Sequence, residues 1–146
     1  MTIGGAEGKW CLTQVKDVRV DLPATSAEVL LQEVSPAARQ LVIPIGLSDA
    51  SAMAFALRGI KPPRPLSHDV FCEVLRLSGV IVEAVRISGK QGSLYVAELE
   101  SVGSKGRHVV DCRPSDALGI LLRQRVPVPL LVSTDLFGVS APLTGS

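Results

Sequence analysis

The stretch RHVVDCRPSDALGILLRQR, residues 107–125, decides how this chain is read, because its periodicity changes halfway through. Arg107 to Asp111 is rich in β-branched residues, Arg113-Pro114 interrupts it, and from Asp116 to about Arg125 the leucines 118, 121 and 122 fall on one helical side. A strand therefore hands over to a helix across an arginine–proline turn. The first-turn N–H groups, which have no partners within the helix, then lie beside the Arg113 guanidinium. A second such turn, Arg64-Pro65-Leu66-Ser67-His68-Asp69, precedes another apolar helical pattern. Each place combines an arginine, a serine (Ser67 or Ser115) and free helix-end donors, a set able to hold an anion such as phosphate. An architectural reading fits the same residues: Asp69 and Asp116 complement helix N-termini, and Arg64 and Arg113 pair with nearby carboxylates.

Outward from these turns, Trp10 to Val20, Glu28 to Val34 and the more apolar Gln40 to Ile45 read as strands, with a turn around Pro23, Thr25 and Ser26. Ser48 is the expected cap of a first helix over Asp49 to Arg58, on which Ala50, Met53, Ala54 and Leu57 recur at helical spacing and which Gly59 ends. Lys61-Pro62-Pro63-Arg64-Pro65 cannot be helical and forms a stiff connector. Ser67 is expected to cap a second helix through Leu77, with Val70, Val74 and Leu77 along one stripe and Gly79 just past its end. Val80 to Ser88, Ser93 to Glu100 and Arg107 to Asp111 read as strands joined by glycine-containing turns, and Pro129 to Val132 as a last short strand. Seven strands and three helices imply a mostly antiparallel or mixed sheet. The layout also echoes itself: Ser48-Asp49-Ala50 returns as Ser115-Asp116-Ala117, and Asp69-Val70-Phe71 as Asp135-Leu136-Phe137. Convergent helix capping or duplication of a β–helix unit would each produce this.

A chain of 146 residues is most simply one domain, expected over residues 9–138, with a disordered N-terminus at 1–8 and a flexible tail at 139–146. No apolar run approaches the ~18 residues of a membrane helix, and Gly4, Gly5, Glu7 and Lys9 do not make a signal peptide, so a cytoplasmic protein without membrane contact is expected. Cys11, Cys72 and Cys112 are odd in number and widely spaced, which disfavours a disulfide framework or a structural zinc site. Fifteen basic against 14 acidic residues leave a net charge of +1, and there are five aromatic side chains. Neither a broad basic footprint nor a row of stacking platforms is present, so any nucleic acid must be held weakly, through local contacts.

The same segments resemble the bifunctional nuclease domain family of bacteria and plants. The resemblance is carried by Ile45-Gly46 with Asp49-Ala50, by Pro63-Arg64-Pro65-Leu66-Ser67-His68-Asp69 and by Asp111-Cys112-Arg113-Pro114-Ser115-Asp116-Ala117, over roughly residues 12–137. The chain departs from the family pattern at Pro44, where an aromatic is usual, at Asp49, where Glu is usual, and at Ser67, where Thr is usual. The resemblance implies an α+β domain and hydrolysis of DNA and RNA.

Phosphodiester hydrolysis needs charge on the phosphoryl oxygens, an activated water and a proton for the leaving oxygen. Arg64 and Arg113, with Ser67 and Ser115, are the candidate phosphate-binding residues, and His68, Asp69 and Asp116 the candidate catalytic ones. Asp49, Asp111 and Asp116 are candidate ligands for Mg²⁺ or Mn²⁺, hard cations that prefer carboxylate oxygen. Glu98 and Glu100 share one strand face and read as a solvated sheet surface. Two other functions stay open: a non-catalytic module whose apolar surplus drives homo-oligomerisation, and a binder or hydrolase of small phosphorylated metabolites.

Overall fold

The computed structural model describes residues 9–21, 23 and 25–137, so the expectations for 1–8 and 138–146 lie outside the described residues. In chain order the elements are β1 (Trp10–Asp21), β2 (Ser26–Glu33), β3 (Gln40–Ile45), α1 (Leu47–Leu57), α2 (Ser67–Leu77), β4 (Ile81–Gln91), β5 (Leu94–Gly103), β6 (Gly106–Cys112), α3 (Pro114–Leu121) and β7 (Leu130–Ser133). A 3-10 turn over Thr134–Leu136 follows. The fold is α+β, with three helices and one seven-stranded mixed sheet in the order β3-β2-β1-β7-β4-β5-β6. Each half is an antiparallel three-strand meander followed by a helix, and β7 joins them, antiparallel to β1 and parallel to β4. Beyond that the halves differ, since β7 and the 3-10 turn stand where the first half has α2.

Alternation along the strands puts Val29 and Leu31, Leu41 and Ile43, Val85 and Ile87, and Ala97 and Leu99 on one buried face. Helix α1 covers that face over β1 and β2, and α3 covers it over β4 and β5. The two helices touch, and α2 rests on α3 as an outer layer with no fully buried residue of its own. Leu118, Met53 and Phe137 fill the space between sheet and helices. Each such side chain contributes about 1.5–3 kcal/mol relative to leaving it in water.

The helix starts differ from the sequence expectation in an instructive way. Helix α1 begins one residue after β3, its first turn closed by the Ala50 N–H to the Gly46 carbonyl at 2.9 Å, so Gly46 and not Ser48 is its N-cap. Leu66 occupies that place in α2, and the Asp69 carboxylate accepts its N–H at 2.8 Å, so the end is capped from within by Asp69 and Ser67 is simply the first helical residue. Arg113 is the N-cap residue of α3 and Pro114 its first helical residue, a position where a missing N–H costs nothing. That helix stops at Leu121, with Arg123 and Gln124 in tighter turns, because Pro127 and Pro129 force the chain toward extended geometry just beyond. Gly79 ends α2 at φ +72°, as expected of its position.

Candidate functional site

The two arginine–proline turns meet because α2 packs on α3 with the starts of both helices together. His68 Nε2 lies 3.1 Å from Asp116 Oδ1, joining segments 48 residues apart. Arg113 closes on the same carboxylate, donating from Nε to Oδ2 at 3.0 Å and from Nη2 to Oδ1 at 2.9 Å. Its third nitrogen, Nη1, stands 3.6 Å from Asp49 Oδ2, an ion-pair distance longer than a hydrogen bond. The Arg113 guanidinium holds the Asp116 carboxyl below the usual carboxylate range, outweighing partial burial, and His68 adds to the effect. Arg113 itself is 66% exposed, so its charge faces water while its partners sit lower, Asp116 at 31% and His68 at 18%. The imidazole lies against bare backbone: a Cβ on Gly119 would come within 2.3 Å of His68 Nδ1.

Asp49, Arg113 and Ser115 line a cleft of about 280 Å³ whose walls also include Pro44, Gly46 and Tyr95. Lys90 Nζ sits 4.9 Å from the centre of the Tyr95 ring, holding that wall residue by a cation–π contact. One guanidinium and two carboxylates therefore converge where β3 ends and α1 and α3 begin. A larger groove, of about 570 Å³, runs between the proline connector and α2, but its lining of Lys61, Pro62, Pro63, Pro65, Val70 and Val74 is mostly apolar.

The remaining sequence candidates scatter. The Asp69 carboxylate accepts Leu66 N–H on one oxygen and Arg123 Nε, at 2.7 Å, on the other. Burial pushes the Asp69 carboxyl up, but the Leu66 N–H and Arg123 outweigh it and leave it below the ordinary value. Asp69 is thus a cap and anchor, one residue away from His68 and turned elsewhere. Arg64 is exposed and, among the described residues, makes no hydrogen bond or ion pair. Ser67 is exposed, whereas Ser115 is buried in the first turn of α3. Asp111 opposes Glu98 across β5 and β6, while its neighbour Cys112 opposes the buried Ala97, so Asp111 projects from the sheet face away from the helices. Burial, reinforced by Asp116, Asp111 and Glu98, raises the Cys112 thiol to about 11 and keeps it protonated. Glu98 and Glu100 are paired with Arg86, and Glu100 also with Arg107.

Arg123 escaped the sequence reading. Its side chain is 8% exposed, and besides Asp69 it donates to the carbonyls of Gly119 at 2.8 Å and Ala52 at 3.2 Å, tying all three helices together. The available signal was a basic residue just past the end of an apolar helix, where the last carbonyls lack partners. As for a divalent ion, both Asp116 oxygens are occupied by Arg113 and His68, and no three His, Cys, Asp or Glu side chains among the described residues come together as metal donors. As arranged, these residues do not make a metal site.

A family model, the bifunctional nuclease domain, matches residues 29–138. A Mycobacterium tuberculosis protein described only as uncharacterised is 36% identical over 116 residues, covering 79% of this chain and 68% of that protein. A protein named bifunctional nuclease 1 from Oryza sativa subsp. indica is 31% identical over 93 residues, covering 60% of this chain and 28% of the rice protein. For bifunctional nuclease 2 of Oryza sativa subsp. japonica the figures are 36% over 76 residues, 50% and 23%.

Proposed function

The chain belongs to the bifunctional nuclease domain family, and on that footing we propose that it hydrolyses phosphodiester bonds of DNA and RNA, with low sequence preference, at the cluster of His68, Asp116, Arg113 and Asp49. One observation carries the reading: an imidazole and an exposed guanidinium share one carboxylate, at 3.1 and 2.9 Å, beside a cleft that holds a second carboxylate. Arg113 supplies a planar fork suited to two phosphoryl oxygens, and an entering phosphate competes with Asp116 for it. Asp49, facing the cleft and held only loosely, takes the proton of the attacking water. Once phosphate draws Arg113 away, the His68 Nε2–H, which faces Asp116 because Nδ1 lies against Gly119, gives its proton to the leaving oxygen, with Asp116 holding the ring in place beforehand.

Only if an entering phosphate draws Arg113 off Asp116 would Asp116 and Asp49 be free to hold Mg²⁺ or Mn²⁺, which would then supply positive charge for the phosphoryl oxygens. The proton and phosphate steps above run through the chain's own residues. Weak, local nucleic-acid contacts fit a net charge of +1. A cytoplasmic, homo-oligomeric protein is part of the same reading. Its support is three free cysteines, no helix among the described residues long and apolar enough to cross a membrane, and apolar side chains such as Val74 and Leu77 left half-exposed or more. A small phosphorylated metabolite is the second reading, favoured by a net charge of +1, which offers a long polyanion little while leaving a local anion site intact.

The test is cleavage of single-stranded DNA and RNA oligonucleotides, with and without EDTA, by the wild-type chain, His68→Ala and Asp116→Asn. Each variant is expected to lose about 10²–10⁴ in kcat/KM while keeping its thermal melt. Undiminished cleavage by both variants removes the cluster from the chemistry. Competition by mononucleotides or sugar phosphates, with no cleavage of polymers, selects the second reading.

A further inference from the structure

The sheet has two dissimilar edges. At β3, the Arg39 carbonyl accepts the Glu33 N–H at 2.8 Å, and strand alternation then turns the peptide groups of Leu41 and Ile43 toward β2 and those of Gln40, Val42 and Pro44 outward. Proline thus occupies an outward position, where its missing N–H deprives an incoming strand of a donor.

Edge β6 has no such guard. Val85 N–H donates to the Pro129 carbonyl, just ahead of β7, at 3.0 Å, so Arg86 turns its peptide groups to β5 and bonds Glu98. Leu99 and Ala97 must then face β6, where they meet Val110 and Cys112. Arg107, Val109 and Asp111 are left with their N–H and C=O groups pointing out of the sheet, and nothing among the described residues pairs with them there. Val109 and Val110, on opposite faces of the strand, are each 51% exposed.

We propose that β6 is a self-association edge, on which a second copy of the chain lays its own β6 antiparallel about a twofold axis through Val109. Outward-facing residues can bond only outward-facing residues, so the axis must pass through a residue and not between two. Val109 is the midpoint of Gly106–Cys112. Centring there sets Val109 against Val109 and Arg107 against Asp111 of the second copy, twice. Centring on His108 or Val110 instead sets Arg107 or Asp111 against a valine. Asp111 stands directly opposite the like-charged Glu98 in its own chain, and the arriving Arg107, which in its own chain pairs with Glu83 and Glu100 through Nη1 alone, brings an opposite charge beside it. His108 and Val110 pair across the other face.

Sedimentation velocity of the full chain at micromolar concentration is expected to show a dimer. Asp111→Arg and Arg107→Asp each oppose like charges at both ends of the contact and are expected to raise the dimer Kd at least about tenfold, while an equimolar mixture of the two restores dimers as a heterodimer. Val109→Pro removes only an outward N–H, leaves the bonds to β5 in place and is also expected to give monomers, with circular dichroism confirming the fold. Three results would overturn the proposal: a native chain that stays monomeric, a dimer indifferent to both Asp111→Arg and Val109→Pro, or single variants that stay monomeric when mixed.

Discussion

Gly119 has no side chain to keep the His68 imidazole away from α3, and that bare patch lets Nε2 reach Asp116. In Gly119→Ala the new methyl would have to occupy the volume of the ring, so His68 must swing off the helix. The expected outcome is a loss of cleavage comparable to that of His68→Ala, about 10²-fold or more, with a melting temperature within a few degrees of wild type because alanine also favours the helix. A loss of folded signal in parallel with activity would instead make Gly119 a packing residue only. At this scale the sequence named the participants but not their positions. His68, Arg113 and Asp116 stand in motifs that could be quoted residue by residue, whereas Asp69, their neighbour in the same motif, is drawn away by Arg123. Charge and spacing were identical for either outcome, and only the packing of α2 on α3 separates them.

The β2–β3 hairpin illustrates what one pair does for an element. Arg39 donates from Nε and Nη2 to the two Glu33 oxygens, both at 2.9 Å, and stacks 5.0 Å from the Phe137 ring centre. The fork clamps the last residue of one strand to the approach of the next, under a buried aromatic. It holds the Glu33 carboxyl at about 2, against the usual 4.5. A carboxyl depressed on folding stabilises the folded state fully above its unfolded value, and that contribution fades as pH falls from about 4.5 toward 2. Glu33→Gln is therefore expected to cost about 2 kcal/mol at pH 7 and almost nothing near pH 2, as read from urea melts at the two pH values. Strands were the most legible elements: alternation placed β1, β2 and β3 within about two residues, because the period of two survives wherever one face is buried. Helix starts were less so. Serine is a good cap in general, but the actual starts follow where the preceding strand or proline connector releases the chain, which local preference does not encode.

For the whole molecule, charge and topology set the limits. With a net charge of +1, few phosphates can be neutralised at once. Oligonucleotide affinity should accordingly fall with salt along a shallow line, log Kobs against log [salt] with a slope of about −1 to −3, measurable by fluorescence anisotropy. A slope near −6 would reveal a basic surface that the isolated chain does not display. The α+β class and the two meanders could be read along the chain, since sequential strands tend to pair. The place of β7 could not: four residues late in the chain insert between β1 and β4, a pairing set by distant partners. That insertion has a consequence during synthesis. Until Leu130–Ser133 leaves the ribosome, the nascent polypeptide lacks the one strand that stitches the two three-stranded meanders together, and their inner borders, β1 and β4, have no partner there.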